Sequence, residues 1–526
     1  MSLAKACPIE NSQAIPFSRV PCVPFDEFHR HIVETGHHGT RISSLFVMET
    51  SGSAPSSGKT PPTLIRPLRL VAILANDAGK TLTVISTDIG TSYPALTPTC
   101  PQAHMFEREI AEQWSVLPEG HPRLTPVRFQ PPLRSNDGYP ISANTAGLPG
   151  VTDFFRIEGE GIHEVAVGPV HAGVIEPGHF RFQCHGEDVF HLEISLGYQH
   201  RGIERAILGG PHRRTLHHME TLAGDTTVGH TLAYSQAIEA LSGCKVSRRA
   251  KVLRAVGLEL ERLANHTGDL GALAGDVGFL PTASYCGRIR GDFLNLTALI
   301  CGSRLGRSFI RPGGVGFDVD SERLTRLTDG LSRASKDVHV AVEVLWETPS
   351  VMSRFEDTGV VSRKVCLELG LVGPAARACG SEQDIRRDFP RGAYRTSKIL
   401  LPAFERRIGD VASRAFVRWA EIQNSLLFLR EILQQLPPGE IIEPEAAHLS
   451  RTLEPDSLVV SLVEGWRGEI CHTIVTDAHG AFARYKIVDP SFHNWIGLEM
   501  AMRNQEISDF PLCNKSFNLS YCGFDL

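Results

Sequence analysis

The side chains best suited to moving protons lie in one loop rich in glycine and proline, Gly168-Pro-Val-His-Ala-Gly-Val-Ile-Glu-Pro-Gly-His179. His171, Glu176 and His179 are close together there. An imidazole titrates near neutral pH, and burial can bring a carboxyl into the same range. On composition alone, such histidines are ordinary residues of a surface loop. His266 and Asp276 form a second titratable pair. They are about ten residues apart, nearly three turns of helix, so they can share a face without touching. A buried polar pair satisfied by neighbouring helices would read the same way. The 12 cysteines, at 7, 22, 100, 184, 244, 286, 301, 366, 379, 471, 513 and 522, include no Cys-x-x-Cys. That spacing provides neither a zinc ribbon nor a chain-borne iron-sulfur cluster, and in a cytosolic protein such cysteines are small buried hydrophobes.

Those side chains need elements to position them. The strands expected around the loop are 162–167, 179–184 and 189–196, which give a short antiparallel sheet about Gly186. Long helices are expected next. Val246, Ala250, Leu253, Val256 or Gly257, Leu260 and Leu263 recur at three- and four-residue steps, and so do Val411, Ala415, Trp419, Ile422, Leu426, Leu429 and Leu433 before Pro437-Pro-Gly439. Burying such stripes against one another makes a helical bundle. Upstream, Leu68–Leu74 and Thr81–Ser86 read as strands joined by the Asn76–Gly79 turn. Before them lie a poorly patterned stretch and an insert, Ser51–Pro62, whose Ser, Gly and Pro content reads as flexible. From Gln130 to Gly150 the Pro, Gly, Ser and Asn density reads as a linker.

A chain of 526 residues calls for at least two domains. Hydrophobic content of 42% and charged content of 21% fit a folded soluble protein, and a net charge of −6 gives no reason to expect nucleic acid or a lipid-binding basic face. No apolar run reaches the roughly 18 to 20 residues of a spanning helix, and no signal-peptide core is present at the start. The expectation is a cytoplasmic chain that reaches a membrane only through partners.

Two further segments carry a family resemblance. Glu220-Thr-Leu-Ala-Gly-Asp-Thr-Thr-Val-Gly-His230 and Asp489-Pro-Ser-Phe-His-Asn494 resemble the Glu-x-x-Cys-x-x-Cys-x-x-x-His and Asp-Pro-Cys-x-x-Cys motifs of nickel-iron hydrogenase large subunits. The resemblance is to the energy-converting hydrogenases and formate hydrogenlyases related to the 49 kDa subunit of respiratory complex I. Gly168-Pro-Val-His171, Gly197-Tyr-Gln-His-Arg-Gly-Ile-Glu204, Glu259–His266 with Gly275–Phe279, Arg311–Val315, Phe355–Ser362, Gly409–Arg414 and Glu464–Gly468 match family landmarks in order. Ala103–Ile110 and Glu119–Leu124 are similar to the complex I 30 kDa subunit.

The resemblance implies an α+β protein with three parts: a 30 kDa subunit-like α/β domain over 1–130, a linker over 131–154, and a mainly helical hydrogenase large subunit-like domain with a short antiparallel sheet over 155–526. It implies that His171 lies beside the substrate pocket, that Asp276 lies under it in an acid/base relay, and that Glu176 and His179 share that loop. His200 and Arg201 become candidate contacts toward a partner's iron-sulfur cluster, with His230 and His266 as further cofactor-side candidates, and Arg414 and Arg467 as lining of the cavity. The four thiolate positions read Ala223, Thr226, Ser491 and Asn494, so no nickel-iron centre is expected, because nickel and low-spin iron want soft thiolate donors.

The expected function is that of a large subunit in a membrane-associated oxidoreductase of NAD(P)H/quinone type or hydrogenase-related type. It would pass electrons from a small 20 kDa-like iron-sulfur subunit to quinone or another small acceptor. Antiporter-like and other membrane subunits would hold it at the inner face of the cell membrane. A non-catalytic scaffold is the alternative, favoured by Ala223-Gly224 where complex I relatives carry Asp-Tyr; a true nickel-iron hydrogenase is the least supported reading.

Overall fold

The computed structural model describes residues 6–50, 67–133, 148–170, 176–396, 407–444 and 453–526. The insert 51–62, most of the linker and His171 lie outside them. The first sheet runs in the order β1 (Cys7–Ile9), β5 (Thr81–Ile89), β4 (Leu68–Asn76), β3 (Thr40–Glu49), all antiparallel. The expected β4–β5 hairpin is there, and its turn is fastened by the Asn76 side chain accepting from Gly79 N at 2.6 Å. The stretch that looked poorly patterned forms helix α1 (Phe25–His37) and strand β3. β3 breaks the strand pattern because Ser43 and Ser44 are buried at a bulge, so neither alternation nor a clean apolar run survives in the sequence. Helix α2 (His104–Trp114) covers this sheet.

Beyond the linker, β6 (Ile162–Val167), β7 (His179–His185) and β8 (Asp188–Ser195) form the expected antiparallel sheet, ordered β8-β7-β6. The bundle follows with α3 (Thr227–Ser242), α4 (Arg248–Asp276), α5 (Leu280–Cys301), α6 (Ser321–Trp346) and α7 (Val411–Gln434). Ser247 caps α4 by accepting from Ala250 N at 3.0 Å, and Asp410 caps α7 by accepting from Ser413 N at 2.7 Å. Both expected stripes are buried except Trp419, which is half-buried against His339. Helix α4 is also buried on its other faces, where Arg254, Glu259, Arg262, His266 and Asp269 meet charged partners.

A second four-stranded antiparallel sheet closes the fold, in the order β11 (Phe482–Val488), β10 (Gly468–Thr476), β9 (Ser457–Gly465), β2 (Ala14–Pro16). The bundle-plus-one-sheet expectation missed it. Every residue of β9 and β10 is buried, so these strands lack the alternation that marks a half-exposed strand. Strand β2 comes from the first domain-sized region yet pairs with β9, and the buried Arg41 of β3 bonds both Asp77 and Glu469 of β10. The last elements used below are α8 (Pro490–Ala501) and α9 (Phe510–Phe517).

Candidate functional site

The two motif segments meet at one place. Asp489 caps α8 by accepting from Ser491 N at 2.8 Å, with Pro490 in the first turn, where its missing N–H costs nothing. The first N–H groups of α3 are satisfied by a neighbouring helix: Glu261 of α4 accepts from Val228 N at 2.7 Å and Gly229 N at 3.1 Å. His230, one turn into α3, bonds Asp489 Oδ2 through Nε2 at 3.0 Å. Its Nδ1 lies 3.1 Å from His472 Nε2, and His472 Nδ1 lies 2.8 Å from the Tyr485 hydroxyl. Burial followed by the charge of His230 pushes the His472 pKa well below its ordinary value, which favours the neutral ring. Burial alone would raise the Asp489 carboxyl, but the hydrogen bond and charge of His230, with Arg467, hold it below its usual value.

The side chains at the four thiolate positions are either apolar or bonded to protein groups. Ala223 presents a buried methyl. The Thr226 hydroxyl donates to Asp225 Oδ1 at 3.1 Å and accepts from Trp466 Nε1 at 3.1 Å and Arg467 Nη1 at 3.2 Å. Ser491 Oγ accepts from Ser520 N at 2.8 Å. The Asn494 amide clasps the backbone of Val372, accepting from its N at 2.9 Å and donating to its O at 3.1 Å.

Beside these positions Arg467 reaches across from the turn before β10. Its Nη1 and Nη2 bond Asp225 at 2.6 and 2.8 Å, and its guanidinium lies 3.9 Å from the centroid of the Trp466 ring. The Glu176 carboxylate accepts from Tyr521 N at 3.3 Å, and burial raises its pKa against the opposing charge of Arg467. We expect Arg467→Gln to raise the Glu176 pKa further, by removing the positive charge that favours the carboxylate. The check is the carboxyl signal of Glu176 in a difference-infrared pH titration, compared with the same titration of Glu176→Gln; no movement would dissociate the two groups. Among the described residues a β-carbon at Gly224 would meet nothing within 4 Å, and the Asp225 side chain is 35% exposed.

His171 lies outside the described residues. His179 stacks on Phe154 with centroids 5.0 Å apart; burial, then Arg181, lowers its pKa. His200 and Arg201 fasten the chain: His200 Nδ1 is 2.7 Å from Asp525 O, and Arg201 donates to Thr221 O, Leu222 O and Cys522 O. That anchors the turn leading to Ala223. His266 and Asp276 do not meet. His266 Nε2 lies 3.0 Å from Glu421 Oε2 and its ring is edge-on to Trp466, whereas Asp276 pairs with Lys515 of α9. Of the two suspected arginines, Arg467 bonds Thr226, while Arg414 donates to Gly359 O, Gly409 O and Ser516 Oγ beside Phe517, away from all four positions.

Sequence reasoning missed Asp225, Glu421 and His472. Asp225 lay between two thiolate positions, and its bidentate arginine is 242 residues away. Glu421 sits on a helix read only for its apolar stripe. It accepts from Arg377 Nε at 2.8 Å and Arg262 Nη1 at 3.3 Å as well as facing His266. Arg377 in turn bonds Glu464 at 2.9 Å, and Asp269 takes Arg418 at 2.6 Å. Asn518 donates to Asp269 and accepts from Arg467 Nε, so this buried charge network reaches the motif positions.

Comparison with known proteins agrees with this geometry. The family model for the respiratory-chain NADH dehydrogenase 49 kDa subunit matches residues 276–525. The carbon monoxide-induced hydrogenase of Rhodospirillum rubrum is 29% identical over 357 residues, covering 68% of this chain and 97% of that one. Formate hydrogenlyase subunit 5 of Escherichia coli is 27% identical over 443 residues, covering 82% and 76%. NADH-quinone oxidoreductase subunit 4 of Thermus thermophilus is 29% identical over 365 residues, covering 65% and 89%. Among solved structures, a chain from the membrane-bound sulfane sulfur reductase, an archaeal respiratory membrane complex, superposes with a TM-score of 0.65 at 24% identity, over 71% of this chain and all of that one. With both motif segments joined through His230 and Asp489 inside this fold, these matches support the superfamily of nickel-iron hydrogenase large subunits and complex I 49 kDa subunits for this chain.

Proposed function

We propose that this chain is the electron-accepting large subunit of a membrane-associated, complex I-related oxidoreductase. It receives electrons from an iron-sulfur cluster on a small partner subunit and delivers them to quinone or another small acceptor, without a nickel-iron centre of its own. The observation that carries this reading is the state of the four positions. Ala223 has no donor atom, and the oxygens and amide of Thr226, Ser491 and Asn494 are bonded to protein groups. That donor set does not fit nickel and iron, which need soft anionic sulfur.

Acid/base groups are present beside the same positions. Glu176 has a raised pKa next to a fixed guanidinium, and the loop that carries it also carries His171. A carboxyl whose protonated form is favoured by burial, together with an imidazole, can donate the protons that reduction of a quinone-like acceptor consumes. Asp276, held by Lys515, is proposed as the charge that biases His171, and His200 and Arg201 as the edge facing the partner's cluster. Among the described residues no helix is long and apolar enough to cross a membrane, so attachment is proposed through the small subunit and antiporter-like membrane subunits. A scaffold role is favoured by one observation, the absence at Gly224 of any side chain to grip an acceptor.

The decisive measurement is made on the native complex. Elemental analysis should find iron from partner clusters and no stoichiometric nickel, and the reduced clusters should be reoxidised by added quinone. About one nickel per chain would sink the proposal, and clusters that stay reduced with every quinone tried would leave the scaffold in its place.

A further inference from the structure

A cavity of about 390 Å³ opens where the second half of α3, the first half of α4 and the segment 385–395 meet the middle of β9. It is within the roughly 300–1,000 Å³ range of small-molecule pockets. Leu232, Ala255, Leu258, Phe389 and Val463 supply apolar wall. None of Ala223, Thr226, Ser491 and Asn494 lines it.

Its charges do not balance. Two carboxylates line it, and both are already used. Glu239 is bidentate with Arg254 and also accepts from Gly313 N at 2.7 Å, while Glu464 takes Arg377 at 2.9 Å and Ile385 N at 3.0 Å. Arg386 is matched by Asp384 and Glu259. Lys245, Lys251, Arg391 and Arg395 remain on the same wall. Among the described residues Lys245, Lys251 and Arg391 have no ion pair, and Arg395 has only an exposed one, 3.7 Å from Glu10. Arg391 lends one weak bond to Ser12 O at 3.3 Å. Burial and then the Arg391 charge lower the Lys251 pKa against the opposing charge of Glu239, and burial and then Arg395 lower that of Arg391 against Glu10 and Glu239; Arg391 is half-buried, and Lys245, Lys251 and Arg395 reach solvent. A concave wall with an excess of one sign focuses potential and attracts the opposite charge.

We infer that this cavity binds a small organic anion with an apolar body, its charged group held by Lys251 and Arg391 and its body against Leu258, Ala255 and Phe389. The anion supplies the counter-charge the wall lacks, and the apolar lining selects against inorganic ions. This site is independent of the proposed electron transfer.

The test uses the full chain and 1-anilinonaphthalene-8-sulfonate, followed by fluorescence. One molecule per chain should bind. Decanoate should displace it, and inorganic phosphate at the same concentration should not. The double substitution Lys251→Gln with Arg391→Gln should weaken binding at least tenfold and leave the thermal midpoint unchanged or higher, because two repelling charges are gone. The uncharged probe N-phenyl-1-naphthylamine should bind wild type and double variant alike. Ala240→Phe, a half-buried position on α3, should fill the cavity and abolish sulfonate binding with every charge in place. Equal sulfonate affinity in the wild type and double variant would overturn the proposal, as would undiminished binding in a folded Ala240→Phe chain or displacement by phosphate as effective as by decanoate. If Ala240→Phe does not fold, the charge variant and the competition decide.

Discussion

Replacing His171 with alanine is expected to slow electron transfer through the assembled complex by about two to four decades, the usual weight of a positioned general acid. The expectation rests on chemistry rather than packing. His171 shares a loop with Glu176, whose half-buried carboxyl feels the charges of Arg467 and Asp225 and has a raised pKa. Removing the imidazole takes away a proton donor and leaves the backbone unchanged, so the iron-sulfur partner is expected to co-purify. Asp276→Asn is the companion test. It keeps shape while leaving the Lys515 ammonium without its carboxylate, so it should alter the pH dependence of turnover before it alters subunit binding. A scaffold would show the reverse, with partner affinity changed or nothing changed. Wild-type electron transfer in the doubly substituted complex would exclude the catalytic reading in this form.

Glu421→Leu is expected to destabilise the chain by about 3–5 kcal/mol, the cost of removing one carboxylate from a buried ion network and leaving Arg377 with Glu464, and Arg262 with Glu259, as their remaining close carboxylates. The partners are specific. Arg377 and Arg262 would lose a carboxylate at 2.7 and 3.3 Å, and His266 would lose its partner at 3.0 Å, all in side chains with no more than 2% exposure. Glu421→Gln preserves the shape and should cost less. The pH dependence has a definite sign. Burial alone would raise the Glu421 carboxyl, but Arg377, His266 and Arg262 hold it well below its ordinary value. Its contribution is therefore fully present above the unfolded-state pKa, about 4.3, and is lost as pH falls through the lower folded-state value. Denaturant unfolding of wild type and both variants across that acid range checks the size and the sign. A loss under about 1 kcal/mol in Glu421→Leu would mean that solvent reaches the network and replaces the missing charge.

Features that depend on neighbours within a few turns were legible in the residues alone. The stripes at 246–263 and 411–433 are buried helix faces, and the hairpin around Asn76–Gly79 forms, because a period of three to four residues or an Asx turn is a local property. The superfamily and the loss of the thiolates were legible there too, since motif order and residue identity need no coordinates. Tertiary structure alone decided the rest. Strands β9 and β10 are buried on both faces and so carry no alternation, and β2 finds its partner some 440 residues along the chain. Spacing alone puts His266 and Asp276 on one helix, but a helix middle and a helix end are several turns apart. The groups that reach them come from other elements, Glu421 and Lys515. The same holds for His230 with His472, and for Arg467 with Asp225, where a buried charge or ring takes whichever partner the packing brings within about 3 Å. Residue types fix which chemistry is available; the register of distant strands and helices fixes which residues share it.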